Sequence, residues 1–129
     1  MVPPARSTQL RGAFIEALAA SELDDPHRLF LLIGRHTFSA AVNFTSTIER
    51  RTRATLVGEP TGACPNHFGD TQKYRLPESG LFVFISSRKH VWGDPSDART
   101  SHDPHVRIET TYDDFAHRRD PALEWILRH

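Results

Sequence analysis

The sequence predicts an α/β fold, and three consecutive segments carry that prediction. Leu29 to Ile33 is a continuous apolar run of strand length, with Arg28 before it and Gly34 after it. Such a run suits a strand buried on both faces. Thr37 then stands where a helix can be capped, and Ala41, Phe44 and Ile48 recur on one helical face. Ala54 to Val57 is a second short strand that stops at Gly58. Strand, helix and strand in this order make a βαβ unit with parallel strands and a right-handed crossover.

Local signals supply the other elements. Residues 1–6 hold Pro3 and Pro4 and read as a lead-in. Ser7 or Thr8 can cap a helix over residues 8–21, with Leu10, Phe14, Ala17 and Leu18 on one side and Asp24-Asp25-Pro26 after its end. Arg50 and Arg51 favour the C-terminal end of the second helix through its dipole. Residues 59–70 contain Pro60, Pro65, Gly62 and Gly69 and read as a long loop. Gln72 to Leu76 and Leu81 to Ser86 are strand-like, joined by the turn Pro77-Glu78-Ser79-Gly80. Residues 88–105 are polar and read as a surface excursion, in which Asp94 to Asp97 forms a turn. Val106 to Glu109 is a short strand. Asp120 caps a final helix with Pro121 in its first turn and Ala122, Leu123, Trp125 and Ile126 on its apolar side.

Composition narrows the function classes. The 129 residues amount to about one domain, and 38% hydrophobic content can build a core. Lys+Arg 16 balances Asp+Glu 16, so the positive surplus of a nucleic-acid binder is missing. No apolar run approaches the length of a membrane span, and the N-terminus lacks the apolar core of a signal peptide. The single cysteine, Cys64, excludes an intramolecular disulfide and a Cys-rich zinc site; it reads as the occupant of a small buried or half-buried slot rather than a reactive thiol. His102 and His105 flank Asp103, but two histidines fall short of the three or four ligands zinc takes. No metal and no cofactor is expected. Trp92 and Trp125 read as packing residues.

The segment with chemistry is Gly34-Arg35-His36-Thr37-Phe38-Ser39-Ala40-Ala41. A buried strand ends, the chain turns, and a helix begins beside Ser39. This places the Ser39 hydroxyl at a helix N-terminus, where the Ala40 N–H can stabilise an oxyanion. The alternative is that Ser39 or Thr37 only caps the helix.

Leu31 to Ala41, followed by Arg53-Ala54-Thr55-Leu56-Val57-Gly58-Glu59-Pro60-Thr61-Gly62, resembles the C-terminal processing peptidases, or tail-specific proteases. These are serine peptidases with a crotonase-like ββα core. The likeness rests on Thr37, Ser39, Ala40 and Val57-Gly58-Glu59-Pro60-Thr61, and runs more loosely over residues 28–128. It implies Ser39 as nucleophile and the Ala40 N–H as oxyanion donor. The best-known members carry a lysine base where this chain has Cys64, and a glutamate where it has Val42. The serine–lysine dyad is therefore absent, and a divergent branch of the family is similar in having a Pro-Asn-His-type loop. His67 is the local candidate base and Asn66 its orienter or a substrate ligand; another source is a histidine from a segment before residue 1.

The resemblance also implies an incomplete core: a βαβ unit, a hairpin and a C-terminal helix. Residues 1–129 then read as the C-terminal portion of one catalytic domain, with residues 1–27 as helix and lead-in and 28–129 as the family-like part. The earlier strands and Gly-Gly element of the family are not found before Arg28. Missing strands would expose sheet edge and favour self-association. The implied partner is a peptide or protein substrate, and full-length relatives are often exported. Replacement at Val42 and Cys64 supports an alternative, a catalytically inactive peptide-binding or assembly module; a truncated gene product without activity is a third reading.

Overall fold

A computed structural model describes residues 6–129 as a mixed α/β fold. The elements are α1 (Arg6–Ala19), β1 (Phe30–Ile33), α2 (Ala40–Arg51), β2 (Thr55–Gly58), β3 (Asn66–Arg75), β4 (Phe82–Val91), β5 (Val106–Arg107), α3 (Tyr112–Ala116) and α4 (Pro121–Ile126). Residues 1–5 of the expected lead-in lie outside the described range. One sheet is parallel throughout, in the order β1-β2-β5. Phe30 pairs with Thr55 and Ile33 with Gly58, so the predicted βαβ unit is present with its second strand displaced by one residue.

The side chains of β1 alternate between two environments. Leu29, just before β1, and Leu31 join Leu18 and Phe44 around a core of Ile15 from α1, Ile48 from α2 and Ala54, the residue before β2. Phe14 and Phe44 stack across the two helices at 6.4 Å. On the opposite side Phe30 meets Trp125 of α4 edge-on at 6.2 Å. Leu32, two residues on, is 43% exposed. β1 is therefore well covered on one face and half covered on the other, where burial on both faces was expected.

The second sheet is a ribbon of β3 and β4, antiparallel from Asn66↔Val91 to Arg75↔Phe82. The turn falls where the sequence places it: Leu76 N–H donates to the Leu81 carbonyl at 2.8 Å. Both strands run well past their expected bounds at the end away from the turn, while at the turn each is one residue shorter than expected. Most of their residues are exposed on both faces, so no buried side sets an alternation that could be read. The loop after β2 shrinks accordingly to 59–65, and the excursion begins at Trp92.

Helix ends explain the remaining differences. α1 begins at Arg6, which puts Ser7 and Thr8 inside it rather than at its cap. α3 was not expected; Thr111 and Asp114 form a reciprocal capping box that starts it. Asp120 caps α4 by accepting from Leu123 N–H, as expected. No helix among the described residues is long and apolar enough to cross a membrane.

Ile48 is 2% exposed and central to the core. Ile48→Ala is expected to cost about 3 kcal/mol in urea unfolding. Phe84→Ala, on the ribbon, should move stability by no more than about 0.5 kcal/mol.

Candidate active site

Between Ile33 and Ala40 the chain reverses from strand to helix in a closed turn. Thr37 N–H donates to the Gly34 carbonyl at 2.7 Å, and Thr37 Oγ1 accepts from Gly34 N–H at 3.0 Å. Thr37 thus ties the turn to itself and does not cap α2. Ser39 occupies the cap position with φ 53° and ψ −118°, and its side chain makes no capping bond. The capping alternative is therefore corrected for both residues. Such a backbone is sparsely populated for any residue with a Cβ and costs about 1–3 kcal/mol. It leaves Ser39 exposed at the helix N-terminus. The next amide, Ala40 N–H, belongs to the first turn and has no intrahelical acceptor.

The chain after β2 is pressed against this turn. A Cβ on Gly58 would lie 2.2 Å from the Ile33 carbonyl oxygen, and one on Gly62 would lie 2.2 Å from that of Arg35. Only glycine permits either approach. Gly62 N–H donates to the Thr37 carbonyl at 3.1 Å. Arg35 makes a two-bond fork to Glu59, at 2.7 and 2.6 Å, and holds that carboxyl below the ordinary range. Glu59 also accepts from Thr110 N–H at 3.2 Å. A groove of about 850 Å³ opens beside the turn, bordered by Leu32, Thr37, Ile108, Tyr112, Phe115 and Ala122.

The other candidates are placed less simply. His67 is buried at the start of β3, with Nδ1 3.1 Å from the Cys64 carbonyl. A carbonyl can only accept, so Nδ1 carries the proton and Nε2 is left with a lone pair. No hydrogen bond joins His67 to Ser39 among the described residues. Asn66 does not orient His67: its Nδ2 donates to the Asp94 and Asp97 carbonyls at 2.7 and 3.1 Å, and its Oδ1 is buried without a partner. Asn66 pins the 94–97 turn instead. Cys64 Sγ donates to the Asn66 carbonyl at 3.0 Å, and Val42 is fully buried.

Sequence reading missed the most connected residue in this region. His102 is fully buried, with Nε2 2.8 Å from Ser46 Oγ and Nδ1 3.1 Å from Glu49 Oε2. Its backbone exchanges two bonds with Thr61, N–H to Oγ1 at 2.8 Å and carbonyl from N–H at 3.1 Å. Arg99 forks onto Glu49 with two 2.9 Å bonds and also holds Asp97. The spacing resembles a Ser–His–carboxylate triad. Ser46, however, lies inside α2, is 2% exposed, and has its Oγ 3.0 Å from the Val42 carbonyl. The array therefore locks α2, the loop after β2 and the 94–103 excursion together. A weak signal was available in the i, i+3 spacing of Ser46 and Glu49, which shares one helical face. His105 Nδ1 accepts from Leu56 N–H at 3.0 Å, so both histidines weighed as metal ligands are engaged within the protein. Among the described residues no group of three or more potential ligands is arranged to hold a metal ion.

No family model matches the chain, and no curated protein matches it.

The strained serine and the half-buried Glu49 carboxylate each have a measurable consequence. Ser39→Gly relieves strain of about 1–3 kcal/mol against an entropic cost of about 0.5–1 kcal/mol. A gain of about 1 kcal/mol is expected in urea unfolding; a loss would show that the turn is unstrained. The hydrogen bond from His102, then those from Arg99, hold the Glu49 carboxyl at about 2, against an ordinary 4.5. A depressed carboxylate favours the folded state above its unfolded value, and the gain disappears as pH falls from 4.5 through 2. Discounted for its partly solvated face, this is worth about 2 kcal/mol near neutral pH. Glu49→Gln should lower the urea midpoint at pH 7 and flatten its decline over that acid window.

Proposed function

We propose that the chain is a serine-type peptidase of the C-terminal processing class, or the C-terminal part of its catalytic domain, on an incomplete crotonase-like core. The observation that carries this reading is the backbone of Ser39. Ser39 is held at φ 53° between a parallel strand and a helix, and its side chain makes no capping bond that would offset the strain. Strain of this kind clusters where a nucleophile must be presented. The sequence resemblance at Thr37-Phe38-Ser39-Ala40 and Val57-Gly58-Glu59-Pro60-Thr61 supports the same assignment.

In this reading the scissile carbonyl lies over Ser39, and the peptide runs from there into the groove, whose lining includes the flanking Thr37 and Ala41. Oγ attacks the carbonyl carbon as its proton passes to a base. The oxyanion that forms is met by Ala40 N–H and the positive end of α2. Collapse expels the amine, which takes the proton, and water repeats the sequence on the acyl-enzyme. His67 Nε2 is the base we assign, because the Cys64 carbonyl fixes the tautomer it needs.

A second reading is favoured by a specific observation. Among the described residues Ser39 has no hydrogen-bonded base, and Val42 and Cys64 occupy two positions that are catalytic in the family resembled. A catalytically inactive peptide-binding module on the same scaffold fits these facts.

A fluorophosphonate probe followed by peptide mapping separates the two. The hydrolase reading expects an adduct on Ser39 that Ser39→Ala abolishes, and a labelling rate about 100-fold slower in His67→Gln. Absence of any adduct, or one that survives Ser39→Ala, would overturn it.

A further inference from the structure

The chain exposes far more surface than its mass allows for a self-sufficient domain. A folded monomer of 14.6 kDa has an accessible surface of about 6,900 Å², whereas this chain has 9266 Å². Even with residues 1–9 counted as wholly exposed, at about 1,400 Å², an excess of about 950 Å² remains. A standard interface removes about 800 Å² from each partner, and obligate interfaces remove more.

Much of the apolar excess lies on the β3–β4 ribbon, and its two faces differ. The pairing of Lys73 with Phe84 and Arg75 with Phe82 puts both phenylalanines on one face. That face is served by its own cations: Lys73 Nζ sits 3.7 Å from the centre of the Phe82 ring and 5.8 Å from that of Phe84. Arg88 and His90 continue the same face. The pairings Tyr74↔Val83, Gln72↔Ile85, Phe68↔Lys89 and Asn66↔Val91 define the other. There Phe68 is 62% exposed, Tyr74 47%, Ile85 54% and Val91 44%. Among the described residues no cation lies over the Phe68 or Tyr74 ring, and no other element packs extensively on the ribbon.

We propose that this second face is the surface on which two copies of the chain associate. Its occupant follows from its chemistry. Phe68, Tyr74, Val83, Ile85 and Val91 make this stripe mainly apolar, and Lys89 is the one charged residue among its pairings. Packed across a two-fold axis it meets its own apolar stripe, the isologous arrangement of most soluble dimers. Two twisted two-stranded ribbons then close face to face into a small sandwich, the step an isolated hairpin needs for stability. The excess of the whole chain is about the area that each partner loses in a standard interface. The proposal is independent of whether Ser39 is a nucleophile.

Sedimentation velocity on the full 129-residue chain at about 50 μM tests it. The expected species has twice the 14.6 kDa chain mass. Ile85→Arg and Tyr74→Glu, each at an exposed position, should weaken association by at least about tenfold with unchanged circular dichroism. Phe84→Arg, on the opposite face, should leave it intact. A monomer, an assembly of undefined order, a dimer untouched by both variants, or one broken equally by Phe84→Arg would each overturn the proposal.

Discussion

Backbone against backbone, between residues 33–37 and 58–62, is the contact on which the rest of the arrangement depends. Gly58 and Gly62 come within a missing Cβ of the Ile33 and Arg35 carbonyls. A methyl at either place would push the two segments apart. With them together, β1 and β2 pair in parallel up to Gly58, and Gly62 N–H closes on the Thr37 carbonyl. The strand-to-helix turn is then held from outside as well as by its own Gly34–Thr37 bonds. That double restraint is what lets a serine persist at positive φ. Arg35 and Glu59 reinforce it at the surface, but an ion pair with one partner two-thirds exposed contributes little beside the backbone contact.

A second restraint acts from the other end of α2. His102 joins Ser46 and Glu49 of the helix to Thr61 of the loop, and Arg99 extends the link to Asp97. The loop that begins at the strained turn's neighbour is thus tied to the helix that begins at the strained serine. Each partner of the imidazole is satisfied, which matters because an unpaired buried ring would cost more than the bonds gain. The hydrogen-bonded lattice of Asn66 to the 94–97 carbonyls continues the same scheme towards β3. His67 is consequently fixed in tautomer and place.

The parts legible in the sequence were those set by local chemistry. The apolar run before Gly34, the periodic face of α2, the Pro77–Gly80 turn and the Asp120-Pro121 cap each specify their element within a few residues. Ser39 was visible because a strand, a turn and a helix N-terminus leave few places for it. What the sequence hid depended on distant partners. The ends of β3 and β4 are set by a ladder between polar residues that face water on both sides, so no hydrophobic period announces them. His102 looked like half of a poor metal site, because its real ligands lie 53 and 56 residues away. The role of Asn66 was misread for the same reason: a loop residue next to His67 pointed at carbonyls that only the fold brings near.

Burial is distributed unevenly, and that has consequences for stability. The tight core lies between α1, α2 and the parallel sheet, around Ile15, Ile48 and Ala54. The ribbon adds backbone hydrogen bonds but almost no apolar burial, so its own contribution to folding free energy is small. Opening the ribbon should therefore require less free energy than opening the core, and the two need not unfold as one unit. The His67 end of the ribbon is the exception, anchored through Cys64 and Asn66 to the loops around His102. The restraints thus concentrate at the end of the ribbon nearest the serine turn and leave its far end, from Lys73 to Phe84, to be stabilised by whatever covers its apolar face.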